Sequence, residues 1–142
     1  MAIVRQVLPR KGNQVWTIQP SDSVLAAIQI MAERDIGALV VIEGNHPIGL
    51  LSERDYTRNV YLKDRSSPAT TVREIMSSPI VPIEPGETVE ACMELMTERR
   101  IRYLPVIEYG RQVGLVSIGD LVKSIISEQE HVIKQLRLFI PS

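Results

Sequence analysis

Apolar positions along the chain recur in a helical register. Val24, Ala27, Ile28 and Met31 stand at i, i+3, i+4 and i+7, and Val89, Cys92, Met93 and Met96 repeat that spacing, which predicts two amphipathic helices each burying one stripe. After each helix come two apolar runs of strand length: Ala38 to Ile42 and Pro47 to Leu51 around Glu43-Gly44-Asn45-His46, then Leu104 to Ile107 and Val113 to Val116 around Tyr109-Gly110-Arg111. The turn residues between the runs predict adjacent strands. A shorter strand is predicted ahead of each helix, at Trp16 to Ile18 and at Val81 to Ile83. It leads into a proline-containing turn whose Ser21-Asp22-Ser23 or Gly86-Glu87-Thr88 supplies the helix cap. A last helix opens near Ser52 or Ser117 and carries Tyr56 to Tyr61 or Leu121 to Ile126. The order is β-α-β-β-α, twice.

The two halves are copies. Ile18 to Asp55 aligns with Ile83 to Asp120 at one offset of 65 residues without gaps, with identities at Pro20/Pro85, Val24/Val89, Met31/Met96, Glu33/Glu98, Arg34/Arg99, Ile36/Ile101, Leu39/Leu104, Val41/Val106, Gly49/Gly114, Ser52/Ser117 and Asp55/Asp120. Two copies are too few for a solenoid, so the expected architecture is an α+β fold of two repeats packed about a pseudo-twofold axis, with two equivalent clefts. The organisation reads as an N-terminal helical segment (1–14), a first repeat (15–62), a linker (63–79), a second repeat (80–127) and a C-terminal helical tail (128–142). Within the linker, Thr71 to Met76 reads as a capping box opening one helical turn that Ser77-Ser78-Pro79 ends. Residues 3–8 and 128–139 are expected to be flanking helices.

Composition narrows the function classes. The chain has 142 residues, 44% of them apolar, with 16 basic against 17 acidic side chains and a net charge of -1. That size suits one compact unit, and the balanced charge gives no general attraction to nucleic acid or anionic membrane. The apolar runs fall short of the roughly 20 residues of a membrane span, and Met1 to Arg5 lack a signal-peptide apolar region, so a cytoplasmic protein is expected. Cys92 is the only cysteine and His46 and His131 the only histidines, which leaves no metal-ligand spacing and no recognisable nucleophile pair. Cys92, aligned with Ala27 on the apolar stripe, reads as a buried core residue, and Trp16 as a core ring.

The polar residues with most to say are Gly49-Leu-Leu-Ser52-Glu-Arg54-Asp55 and Gly114-Leu-Val-Ser117-Ile-Gly-Asp120. A serine at a strand-to-helix junction places its hydroxyl and the free N–H groups of the first helical turn at one spot, which suits phosphate. An aspartate three residues on can accept two hydrogen bonds from a ribose diol. The same residues can equally be helix caps, with the acid at the third helical position.

The pattern Gly-apolar-apolar-Ser-x-x-Asp closing a β-α-β-β-α repeat, with Ile101-Arg-Tyr-Leu-Pro-Val106 before it, resembles the CBS domain, and two in tandem resemble a Bateman module. The likeness spans about residues 15–128. Ser52 to Arg58 and Arg99 to Pro105 are similar to stand-alone bacterial and plant-organelle CBS pairs. The resemblance implies no catalysis and an adenosyl ligand between the repeats: AMP, ADP, ATP or NAD, with S-adenosylmethionine less favoured. It assigns ribose to Asp55 and Asp120 and the neighbouring hydroxyls to Ser52 and Ser117. Adenine would rest on Thr17, Ile18, Gly37 and Ala38 in the first cleft, and on Val81 and Pro82 beside Arg102 and Tyr103 in the second.

The copies differ where phosphate would sit. Arg54 aligns with Gly119, Arg58 with Lys123 and Arg102 with Gly37, so the first cleft is expected to collect Arg54, Arg58 and Arg102 and to bind more tightly. Alternatively these arginines are solvated or pair with Glu53, Glu98 or Asp35. The leading expectation is a nucleotide-sensing regulator, a homodimer acting on a separate protein. A ligand-free dimerisation scaffold and a nucleotide-processing enzyme are the alternatives.

Overall fold

The computed structural model describes residues 2–8 and 15–140; the remaining positions of the two terminal segments lie outside it. In the first repeat, β1 (Thr17–Ile18) pairs parallel with β2 (Ala38–Glu43), which pairs antiparallel with β3 (His46–Ser52). Helix α2 (Val24–Arg34) connects β1 to β2. Its N-cap is Ser23, whose Oγ accepts from the Ala26 N–H, and it ends at Asp35 in the left-handed region. The stripe predicted for it is its buried face: Val24, Ala27 and Met31 join Leu39, Val41 and Leu51 in one core.

The second repeat retraces this path through α5 (Val89–Arg99), capped by Thr88 and ended by left-handed Arg100, and the hairpin of β4 (Tyr103–Glu108) and β5 (Arg111–Ser117). Both hairpins shift register at equivalent places, Val41/Ile42 and Val106/Ile107. The strand predicted at Val81 to Ile83 is reduced to a single parallel bridge, Ile83 to Val106. Proline explains it: Pro105 occupies the position of Val40, whose N–H donates to the Trp16 carbonyl in the first repeat, and has no N–H for the equivalent bond.

The helix expected at Tyr56 to Tyr61 is α3 (Glu53–Tyr56) followed by a π-helical turn, Thr57–Tyr61. The helix expected to begin at 128 has no separate start, because α6 (Ile118–Arg137) runs unbroken from the end of β5. Neither proline nor glycine falls between Leu121 and Arg137 to stop it.

Two short lead-in helices, α1 (Val4–Val7) and α4 (Val72–Ile75), each dock on one repeat. Val72 and Ile75 are buried in the first core, whereas Val4 is buried in the second, with Ala2, Val7 and Leu8 packed around it. Residues 2–8 are therefore part of the second repeat's fold. The Val4 and Arg5 N–H groups donate to Glu87 and Pro85 carbonyls, and Ala2 accepts from the Val89 N–H. The docking is duplicated: Arg5 pairs with Glu108 as Arg73 pairs with Glu43. Gly49 and Gly114 make room for it. A Cβ on Gly49 would lie 2.8 Å from the Met76 Sδ, and one on Gly114 2.4 Å from Leu8 Cδ2. As predicted, α4 opens on a capping interaction, the Glu74 carboxylate accepting from the Thr71 N–H. That bond, aided by Arg65, holds Glu74 below the usual carboxylate range.

Candidate functional site

A cleft of about 880 Å³ opens where four segments of both repeats converge. The first repeat supplies the corner before β2 (Gly37, Ala38) and the end of β3 with the following turns (Leu50, Ser52, Glu53, Arg54, Asp55, Arg58). The linker supplies Ser77 and Pro79 to Val81, and the second repeat the corner before β4, Arg100 to Tyr103. The volume lies within the range of small-molecule sites.

Ser52 is the N-cap of α3. The Asp55 N–H donates to Ser52 Oγ at 3.1 Å, while Asp55 Oδ2 accepts from the Ser52 N–H at 2.9 Å and the Ser52 hydroxyl at 3.0 Å. Ser117 and Asp120 repeat the box at 3.1 and 3.0 Å. The capping role is thus real in both copies, and it engages Oδ2 of each acid. Among the described residues Asp55 Oδ1 accepts only from the Ser77 hydroxyl, at 3.2 Å, an exposed contact that a ribose hydroxyl can replace.

One expectation needs correction. Most of the first-turn N–H groups are not free for phosphate: the Glu53 N–H donates to the Gly37 carbonyl at 3.0 Å, as Ile118 does to Arg102 at 2.9 Å, and those of Asp55 and Asp120 are held by the caps. Positive charge in the cleft comes from side chains instead. Arg54, Arg58, Arg100 and Arg102 all line it, and among the described residues none of them forms an ion pair with Glu53, Glu98, Asp35 or any other acid.

The partition of the adenine-backing residues also changes. Val81 and Tyr103, assigned to the second cleft, line the cleft of Asp55 together with Arg102, which was expected there to meet phosphate. The linker brings them there: Ser77 pairs with Leu50 through two backbone hydrogen bonds, and the chain then crosses in front of Asp55 into the second repeat. Thr17 and Ile18 are not in this cleft. Thr17 is exposed, and Ile18 is buried in the first core. Pro82 lines a different hollow, beside Glu84, Glu87, Glu94 and Glu98. Trp16 packs on the first core with the Arg34 guanidinium 4.1 Å above its ring.

Sequence reasoning missed Arg100, Glu53 and Ser77. Arg100 had a signal in the duplication, since its counterpart is Asp35. Both residues end their helices in the left-handed region, at φ 54° and 52°, where glycine is the easier residue. At the four arginine positions of the Asp55 cleft the other copy has Gly119, Lys123, Asp35 and Gly37, one cation against one anion. Tyr103 stands between the copies. Burial raises its phenol above the ordinary value, reinforced by Glu53 of the first repeat and by Asp120 of the second, while Arg102 opposes.

Two sheet-and-helix repeats sharing a cleft, each ending in a Ser-x-x-Asp cap, are the features of a CBS pair. The chain belongs to the CBS domain family, whose model matches residues 4–61 and 72–127. It is 34% identical over 134 residues to the mitochondrial CBS domain-containing protein CBSX3 of Arabidopsis thaliana, covering 91% of this chain and 65% of that protein. A solved CBS-domain protein from Burkholderia ambifaria superposes with a TM-score of 0.85 at 47% identity, covering 90% of this chain and 96% of that one. The hexameric CBS-CP12 protein of bloom-forming cyanobacteria superposes with a TM-score of 0.79 at 28% identity, covering 85% of this chain and 66% of that one. The first match of each repeat begins at its lead-in helix, Val4 or Val72. Among the described residues no helix is long and apolar enough to cross a membrane.

Proposed function

We propose that this chain is a nucleotide sensor: AMP, ADP, ATP or NAD enters the cleft between Asp55 and Arg102, and a separate protein reads its occupancy. Stand-alone CBS-domain proteins are typically regulatory modules rather than enzymes, which sets the class. The observation that supports a phosphorylated ligand is the set of four arginines without ion pairs, against two carboxylates, Glu53 and Asp55, in one cleft. Asp55 Oδ1 would take the ribose diol and the guanidinium groups the phosphates, in charge-assisted hydrogen bonds. The excess of positive charge disfavours S-adenosylmethionine, whose sulfonium is a cation.

The regulation follows from the cleft's construction. Arg54 and Arg58 belong to one repeat and Arg100 and Arg102 to the other, so a bound polyphosphate ties the halves together. Occupancy then favours whichever inter-repeat arrangement brings the arginines closest, and only that differential affinity can transmit a signal.

The completed capping boxes favour a second reading, a ligand-free interaction scaffold in which Ser52, Asp55, Ser117 and Asp120 serve helix starts alone. Calorimetric titration with AMP, ATP and NAD separates the two. Saturable heat with at least one of them supports the sensor. No heat with any of them supports the scaffold.

A further inference from the structure

The two oxygens of the Asp55 carboxylate are not equivalent. Oδ2 accepts from the Ser52 N–H at 2.9 Å and from the Ser52 hydroxyl at 3.0 Å, so both of its lone pairs are engaged in the cap. Oδ1 accepts from the Ser77 hydroxyl of the linker at 3.2 Å. Main-chain contacts hold Ser77 there. The Leu50 N–H donates to the Ser77 carbonyl at 3.0 Å, and the Ser77 N–H donates to the Leu50 carbonyl at 2.8 Å. Gly49 admits this pairing, because a Cβ on it would stand 3.0 Å from the Ser77 carbonyl oxygen and 2.8 Å from the Met76 Sδ. The glycine that opens the Gly-x-x-Ser-x-x-Asp motif thus lets the linker set a second hydroxyl beside the aspartate, and both residues face the cleft.

We propose that Asp55 Oδ1 and Ser77 Oγ read the two hydroxyls of a ribose together, one hydroxyl each, which makes the cleft selective for ribonucleotides over their deoxy forms. The inference rests on the nucleotide reading above and names a specificity-determining residue within it. A vicinal cis-diol needs two acceptors side by side. With Oδ2 engaged, the carboxylate offers one oxygen, which has a second lone pair to spare. Ser77 Oγ donates its proton and keeps two acceptor positions, so it supplies the other. The 3.2 Å between the two atoms is close to the spacing of neighbouring diol oxygens. The second copy lacks this pair: at the offset of 68 that relates Val4 to Val72, Ser77 aligns with Pro9, which has no hydroxyl. The paired reading of the diol therefore belongs to the cleft of Asp55.

The test is calorimetric titration of AMP, ATP and NAD, and of the 2′-deoxy and 3′-deoxy forms of AMP and ATP, into wild type, Ser77→Ala and Ser77→Thr, each confirmed folded by its thermal melt. Wild type should bind each deoxy form roughly tenfold more weakly than its ribonucleotide. Ser77→Ala should weaken the ribonucleotides several-fold and lose the penalty against one of the two deoxy forms, while the other penalty, enforced by Asp55, remains. Ser77→Thr, which keeps the hydroxyl, should show both penalties. Deoxy forms that bind wild type as well as the ribonucleotides do, or a Ser77→Ala protein that weakens ribo- and deoxynucleotides by one factor, would overturn the inference and leave the nucleotide reading standing. No heat with AMP, ATP or NAD would overturn both.

Discussion

Tyr103 lies across Gly37: a Cβ added at residue 37 would stand 2.1 Å from the phenolic oxygen and 3.2 Å from the ring carbon that bears it. This contact joins the corners of the two repeats at the cleft of Asp55. Gly37→Ala should therefore force the ring aside and cost about 1–2 kcal/mol, the usual scale for overpacking. Tyr103→Phe in the same chain removes the nearest atom and should recover most of the loss. Urea denaturation of the single and double variants decides it; equal losses in both would deny the contact its role.

Val4 is fully buried in the core of the second repeat although it lies at the start of the chain. Val4→Ala should cost about 2 kcal/mol, from lost transfer energy and a residual cavity. Val72→Ala, its counterpart in the first repeat, should cost a similar amount. A Val4→Ala protein as stable as the wild type would mean that α1 is not docked.

Burial pushes the Cys92 thiol up to about 11, with the Glu87 carboxylate adding to the shift. The folded state keeps this proton at pH values where the unfolded chain, titrating near 9.0, has lost it. The sign follows: stability is intact below about pH 9 and falls as pH rises toward about 11, by about 2 kcal/mol near pH 10.5. Stability measured at pH 7 and pH 10.5 should fall less in Cys92→Ala. An identical fall would show that other groups govern the alkaline limb.

Arg100 occupies a left-handed helix cap that glycine would adopt with less strain. Arg100→Gly should leave stability unchanged or raise it by up to about 1 kcal/mol while weakening ATP several-fold. Thermal melts and calorimetry on one preparation read both effects. Reduced stability with unchanged affinity would remove Arg100 from the site.

Much of this was legible because duplication and period acted together. The stripe Val24, Ala27, Met31 and its copy located the core helices, and the Ser-x-x-Asp motif located two helix starts whose caps are formed. The rest was hidden for identifiable reasons. Val4 and Val72 are equivalent at an offset of 68, three more than the 65 of the repeats, so a single-offset comparison missed that the two lead-in helices, each expected by itself, are copies. Pro105 in place of Val40 removed a ladder bond and reduced the strand expected ahead of the second core helix to one bridge. The path of the linker past Asp55 was not encoded in either repeat, so Val81 and Tyr103 were placed in the wrong cleft. Arg100 looked like an ordinary surface cation until the left-handed cap put it beside Arg102.

The central claim is that phosphate is held between the repeats by Arg102 while Asp55 holds the ribose. Its most direct measurement is a set of calorimetric titrations of adenosine and ATP into wild type, Arg102→Ala and Asp55→Ala, each confirmed folded by its thermal melt. Asp55→Ala should weaken both ligands by roughly ten- to a hundredfold, the loss of one or two charged hydrogen bonds. Arg102→Ala should weaken ATP by a similar factor and leave adenosine nearly unchanged. Equal weakening of both ligands by Arg102→Ala, or wild-type affinity in folded Asp55→Ala, would contradict the account.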